Sequence, residues 1–210
     1  GNAMQVDSKP PIDAEFRDHK TSGSIDELIG RDKFFVAKDL YDGDHVFEGK
    51  FDEFGQFVGT LNIYKEQPEP YVLNWPGNSG KLTECGPFEV RLSAVQGRAS
   101  ESLLDSVKHK EVMDKLWRYG GFYVYRDGIR VLPYGQSDYD WLKIENRRTL
   151  AAKDWFFSHR RMIGFVAIDS SFNSSLIEKA GREGFRENKA FRQFRAILEN
   201  WLKELAKDYF

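Results

Sequence analysis

Cysteine is nearly absent from this 210-residue sequence, in which Cys85 stands alone. A lone thiol cannot form an internal disulfide, and no second cysteine can complete a zinc site, so a reducing, cytoplasmic setting is the expectation. Long hydrophobic runs are missing too. Nothing approaches the roughly 20 apolar residues that span a bilayer, and the N-terminus lacks the basic-then-apolar order of a signal peptide, so no membrane partner is predicted. Charge of one sign is also lacking. The 31 Lys and Arg against 33 Asp and Glu leave a net charge of -2 and a pI near 6.2, so any nucleic-acid role must rest on a local patch. The histidines His19, His45, His109 and His159 are scattered, none at metal-ligand spacing with another or with Cys85, and no metal site is predicted. There is no glycine-rich phosphate loop, because Gly120-Gly121 closes a helical pattern instead of opening one after a strand. A nucleophile elbow is absent, and the carboxylates Asp138 and Asp140 read as loop and cap residues.

Aromatic residues are abundant: 17 Phe, 9 Tyr and 5 Trp make up 15% of the chain, so bulky packing has to hold the fold together. Gly1-Asn2-Ala3 before Met4 reads as a cloning remnant, which points to a piece of something longer. Residues 4–44 are polar, carry Pro10-Pro11 and read as a connector with one short helix. Phe57, Gly59, Leu61 and Ile63 alternate after Val46 to Phe51 and a Gly55-containing turn, which is a hairpin pattern. Tyr71-Val72-Leu73 fits a brief added strand. Phe88, Val90, Leu92 and Ala94 form one face of a further strand.

From Ser100 to Tyr119 a helix is predicted, with Leu103, Leu104, Val107, Leu116 and Trp117 as its apolar set and Ser102 with Asp105 as a capping pair. Arg126-Asp127-Gly128 joins two short strands through an Asp-Gly turn, with Arg126 and Arg130 read as hairpin surface residues. Trp141 reads as a core anchor. The stretch from Asp140 to Ser158 is predicted irregular, Met162 to Ile168 a buried strand, and Asp169 to about Ala180 a loop. Phe191, Phe194, Leu198, Trp201 and Leu205 recur at three- and four-residue steps, the pattern of a long amphipathic helix docked on a sheet. The fold class is therefore α+β.

One segment gathers Arg147, Arg148, Lys153, His159, Arg160 and Arg161 around Trp155, Phe156 and Phe157. Phosphate neutralisation and base stacking would suit it to nucleic acid. Core packing with a solvated basic rim is the simpler account, and both readings stay open.

The run from Gly120 to Gly135, with Tyr125-Arg126-Asp127-Gly128 and Pro133-Tyr134-Gly135, followed by Asp140-Trp141-Leu142, resembles the second, transducer domain of bacterial GHKL ATPases. This group is similar to gyrase B, the large heat-shock chaperones, MutL and the MORC proteins. Ile163 to Ile168 resembles that family's following strand, and Gly181-Arg182-Glu183-Gly184-Phe185 resembles its basic-Glu motif, which stands at the start of a helix. Phe51-Asp52-Glu53-Phe54-Gly55-Gln56-Phe57-Val58-Gly59 also fits, so the resemblance covers residues 46 to 210.

The resemblance implies a βαβ sheet like the second domain of ribosomal protein S five, carrying the long C-terminal helix, with residues 45–210 as the transducer-type domain. It implies that Arg182 reaches the γ-phosphate of ATP in a neighbouring domain. The family's ATP-binding motifs have no counterpart here, so ATP and Mg are expected in an intact parent ATPase and the piece alone is expected to be inactive. The implied partners are an upstream ATP-binding domain in the same chain and a second copy of the protein. Where relatives often carry Thr-Asn before the Arg, this chain has Ala180-Gly181.

Overall fold

Alternation of apolar side chains along the strands sets which face of the sheet is buried, and the computed structural model shows how these faces are covered. It describes residues 16–29, 35, 37–150, 156–181 and 183–210. Strands β1 (Phe16–His19) and β2 (Ile25–Ile29) form a separate antiparallel hairpin, where the sequence predicts only a connector. Gly23, at φ +81°, supplies the left-handed residue of its turn. The short helix expected in this region corresponds to a 3-10 turn at Ala37–Tyr41.

Strands β3 (His45–Phe51), β4 (Phe57–Ile63), β5 (Glu69–Leu73), β6 (Phe88–Ala94), β7 (Gly121–Arg126), β8 (Ile129–Arg130) and β9 (Met162–Ile168) make one seven-stranded sheet in the order β5-β4-β3-β6-β9-β7-β8. Every pairing is antiparallel except β7 with β9. The β3–β4 turn is closed by Asp52, whose carboxylate accepts from the Phe54 and Gln56 amides at 2.9 and 2.8 Å. Gly49 and Gly59 face each other across this hairpin. A Cβ on either would fall within 2.7 Å of the Phe57 ring edge, so the ring fills the space that their missing side chains leave.

One sheet face presents Phe47, Phe51, Phe57, Phe88, Val90, Phe122 and Val166 to helix α3 (Lys189–Tyr209). Phe191, Phe194, Leu198, Trp201 and Leu205 of that helix are all buried, as their spacing predicts. The opposite face is partly covered by helix α1 (Ser106–Tyr119) and by Phe35 and Leu40, which pack with Leu116, Tyr123, Tyr125, Ile163 and Phe165. The packed body thus includes residues upstream of position 45. The architecture is α+β, a mixed seven-stranded sheet with a long C-terminal helix. Among the described residues no helix is long and apolar enough to cross a membrane.

Three local expectations need correction. Helix α1 starts at Ser106, not Ser100, with Asp105 as its cap, accepting from the Val107 and Lys108 amides. The cause is Asp44, a fully buried carboxylate that accepts from the Ser102 hydroxyl (2.9 Å) and the Leu103 amide (2.7 Å) and so holds both outside the helix. Of the apolar set assigned to α1, Leu116 is buried, whereas Leu103, Val107 and Trp117 face outward. The region from Asp140 to Ser158, predicted irregular, contains helix α2 (Ile144–Leu150), which Asp140 caps by accepting from the Glu145 amide at 2.9 Å.

The described residues of the basic-Glu motif, Gly181 and Glu183 to Phe185, do not stand at the start of a helix. Helix α3 begins at Lys189, where the Asn188 side chain accepts from the Phe191 amide at 2.9 Å. The motif lies in a preceding hairpin-like turn, with a bridge between Glu178 and Phe185 and hydrogen bonds Lys179 N to Gly184 O and Arg186 N to Ile177 O, both 2.8 Å. Gly184, at φ +86°, keeps that turn out of helical geometry.

Candidate functional site

The chain leaves the parallel pair β7–β9 at one end of the sheet, and three loops meet there. Arg126, the last residue of β7, is half-buried rather than a free surface residue. Its Nη2 donates to the Asn173 carbonyl at 3.0 Å, its Nη1 pairs with Glu178 at 3.2 Å, and the guanidinium lies over the Phe185 ring at 5.8 Å. Arg130 likewise turns inward, donating to the Tyr134 carbonyl through Nε at 3.3 Å and Nη2 at 3.2 Å and stacking on Tyr123 at 4.5 Å.

Tyr134 is the centre of this arrangement. Its ring packs on Trp141 and Phe185 at 4.9 and 5.5 Å, and its hydroxyl oxygen accepts from the Phe185 amide at 2.9 Å. Burial is the largest effect on this phenol and pushes its pKa well above the ordinary range, so it stays neutral. A Cβ on Gly184 would lie 2.8 Å from that oxygen. Trp141 is buried as expected, and its Nε1 donates to the Phe122 carbonyl at 2.9 Å.

Asn173 ties the loop after β9 to the rest of this end. It is fully buried; its Nδ2 donates to the Cys85 and Pro87 carbonyls at 2.6 and 2.8 Å, and its Oδ1 accepts from the Asp169 amide at 2.8 Å. Asp127, at φ +50° in the β7–β8 turn, accepts from the Ser170 amide at 2.9 Å. The loop that leads to the Gly181–Phe185 turn is therefore held at several points. Arg182 itself lies outside the described residues; its neighbours Gly181 and Glu183 are exposed.

Replacing Tyr134 with Phe should leave the Phe185 amide without its acceptor while keeping the ring packing, a cost of about 1–2 kcal/mol. Urea denaturation gives the cost, and hydrogen exchange should show lost protection at the Phe185 amide. Unchanged exchange there would mean that the hydroxyl does not hold the turn.

A cleft of about 460 Å³ opens beside these loops, lined in part by Lys50, Pro87, Phe88, Asp127, Asp169 and Phe172. Its charges are mixed. Bonds from the Ser171 hydroxyl and amide hold the exposed Asp169 carboxyl below its usual pKa. Among the described residues no three His, Cys, Asp or Glu converge as a metal-binding group. Cys85 is buried, and that burial raises its thiol pKa to about 11, which removes its nucleophilic form near neutrality.

The segment from Arg147 to Arg161 is divided by the fold. Arg147 turns to α3 and pairs with Glu199 at 2.6 Å, while Arg148 pairs with Glu145 at 3.3 Å. Lys153 and Trp155 lie outside the described residues. Phe157 is buried against Phe47, and Phe156 stacks on Phe210 at 3.6 Å. His159 is buried, with Nε2 3.3 Å from the Gln136 carbonyl. Arg160 sits on the exposed Trp117 side of α1, with its guanidinium 4.1 Å over the indole.

The contributions of Tyr134, Asn173 and Trp117 are not visible in the sequence pattern, since a ring, an amide or an indole looks the same there whether it packs, props or projects. Compared with protein-family models, curated proteins and solved structures, the chain matches none.

Proposed function

We propose that the chain is a transducer domain of a GHKL-type ATPase, coupling ATP binding and hydrolysis in an upstream domain to conformational change. The observation that supports it best is convergence: three of the motifs that carry the resemblance meet at one end of the sheet. Arg126 of the Tyr-Arg-Asp-Gly block and Tyr134 of the Pro-Tyr-Gly block both contact Phe185, which ends the Arg-Glu-Gly-Phe block. Blocks spread over that much sequence have no need to touch unless they build one local structure.

In this reading the props under the turn hold Arg182 at the boundary with the ATP-binding domain, where its guanidinium engages the γ-phosphate. The planar fork of an arginine can grip two phosphate oxygens at once, so the contact rewards one closed geometry more than a flexible ammonium would. The nucleotide and its Mg ion belong to the neighbouring domain and supply the phosphoryl chemistry. This chain contributes one cation and the rigid base behind it.

The test is steady-state ATP turnover by the full-length parent. Arg182→Ala should lower kcat about a hundredfold, the typical loss of one preorganised electrostatic contact, and the 210-residue chain alone should be silent. Normal turnover by the variant, or a parent gene with no upstream ATP-binding domain, overturns the reading.

A further inference from the structure

At the other end of β9, before Met162, the protein carries an aromatic and basic surface that the Arg182 turn does not use. Trp117 has 61% of its surface exposed, although it lies in a helix that buries Leu116 beside it. The Arg160 guanidinium already covers one indole face at 4.1 Å. Next to it, Arg161 is half-buried, and among the described residues its guanidinium has neither a hydrogen-bond acceptor nor an ion-pair partner. Burial, followed by repulsion from Arg148, pushes the pKa of Arg161 down against the smaller pull of Glu145 and Glu101, yet an arginine remains charged at neutral pH. Gly97 makes room for it, since a Cβ there would sit 2.6 Å from Arg161 Nη1.

A guanidinium partly stripped of water, placed beside like charge and lacking an acceptor, is in a poor position on its own and a good one for an anion. The carboxylates that act on Arg161, Glu145 and Glu101, are engaged by Arg148 and Arg98.

We infer that this surface binds single-stranded nucleic acid, with Arg160 and Arg161 on successive phosphates and Trp117 as a stacking platform for an unpaired base. The occupant follows from the combination of groups. Arginines alone would take any polyanion, including an acidic peptide, but an exposed indole beside them adds affinity only for a ligand that alternates charge with a free aromatic face. A duplex hides those faces inside its stack. The inference is independent of the transducer reading, because this surface and the loop after Ile168 are separated by the length of β9, about 20 Å at roughly 3.3 Å per residue.

The experiment is fluorescence anisotropy of a labelled oligothymidylate titrated with the 210-residue chain, without nucleotide, over a series of salt concentrations. Binding should weaken with salt at about 0.7 log units of affinity per log unit of salt for each phosphate neutralised. Trp117→Ala should weaken it roughly tenfold, with Trp117→Phe intermediate. Arg160→Ala should reduce the salt slope, and both positions are exposed enough to replace without unfolding the chain. Arg182→Ala should leave binding unchanged. Absence of binding, equal affinity for a duplex or for polyglutamate, or indifference to Trp117 each overturns the inference. None of these outcomes bears on ATP turnover, so the two readings fail separately.

Discussion

Trp201→Ala should destabilise the fold by about 4 kcal/mol, measured as the change in unfolding free energy in urea. Trp201 is fully buried in α3 and touches three sheet aromatics, Phe57 at 5.3 Å, Phe51 at 6.0 Å and Phe47 at 6.3 Å between ring centroids. Truncation removes the largest side chain at the centre of the helix–sheet interface and leaves a cavity that three rings cannot collapse into together. Trp201→Phe tests the same site from another direction. Among the described residues the buried indole Nε1 has no acceptor, so the Phe variant loses volume but also loses an unsatisfied donor, and the two effects offset. It should cost under about 1.5 kcal/mol. A Phe variant as damaging as the Ala variant would show that the indole nitrogen finds a partner in solution.

Acidification should cost stability through His45. This ring is fully buried, flanked by Tyr64, Phe156 and Phe210 with centroids at 4.5, 5.5 and 4.8 Å. The Gln96 side-chain amide nitrogen lies 3.2 Å from His45 Nε2 and donates to it, so the ring carries its proton on Nδ1, which meets no acceptor among the described residues. Burial lowers the pKa from 6.5 to about 4 and outweighs the opposing pull of Asp44.

The unfolded chain therefore takes up a proton near pH 6.5 that the folded chain refuses until about pH 4. Above pH 6.5 this group contributes no slope; between the two values stability falls as pH falls, by about 3 kcal/mol in all; below pH 4 it adds nothing further. Urea unfolding of wild type and His45→Phe at a series of pH values checks it, and the variant should lack this share of the slope. Parallel curves would show that His45 does not titrate as its burial demands.

Local patterns in the sequence carried much of the fold. Alternation at Phe57, Gly59 and Leu61 marked a strand, Asp127-Gly128 a tight turn, and the spacing of Phe191, Phe194, Leu198 and Trp201 the long helix. What stayed hidden depends on distant partners. The start of α1 is decided by Asp44, 58 residues before the Ser102 hydroxyl that it binds, and no window on residues 100–119 contains it. The parallel pairing of β7 with β9 leaves no mark in either strand. Trp117 fits the helical period of a core residue, and only the position of α1 on the sheet turns it outward. At the candidate site, motif resemblance pointed to Gly181–Phe185, but the props beneath it, Tyr134 and Asn173, act through one hydroxyl and one amide whose roles follow from the fold. Arg126 and Arg130 looked like surface residues for the same reason.

The order of strands also governs how the chain acquires its shape. Strands β3 to β6 pair among themselves, so this half of the sheet can assemble early, whereas the other edge of β6 must wait for β9, with pairs that run from Glu89 with Ala167 to Ala94 with Met162. Contacts over such sequence distances form slowly, because the intervening loop must be closed first. The helix that covers Phe47, Phe51, Phe57 and Phe88 follows every strand. During synthesis, the ribosome therefore releases a phenylalanine-rich sheet surface well before its lid exists, so the nascent chain should depend on holding chaperones until Lys189–Tyr209 has emerged.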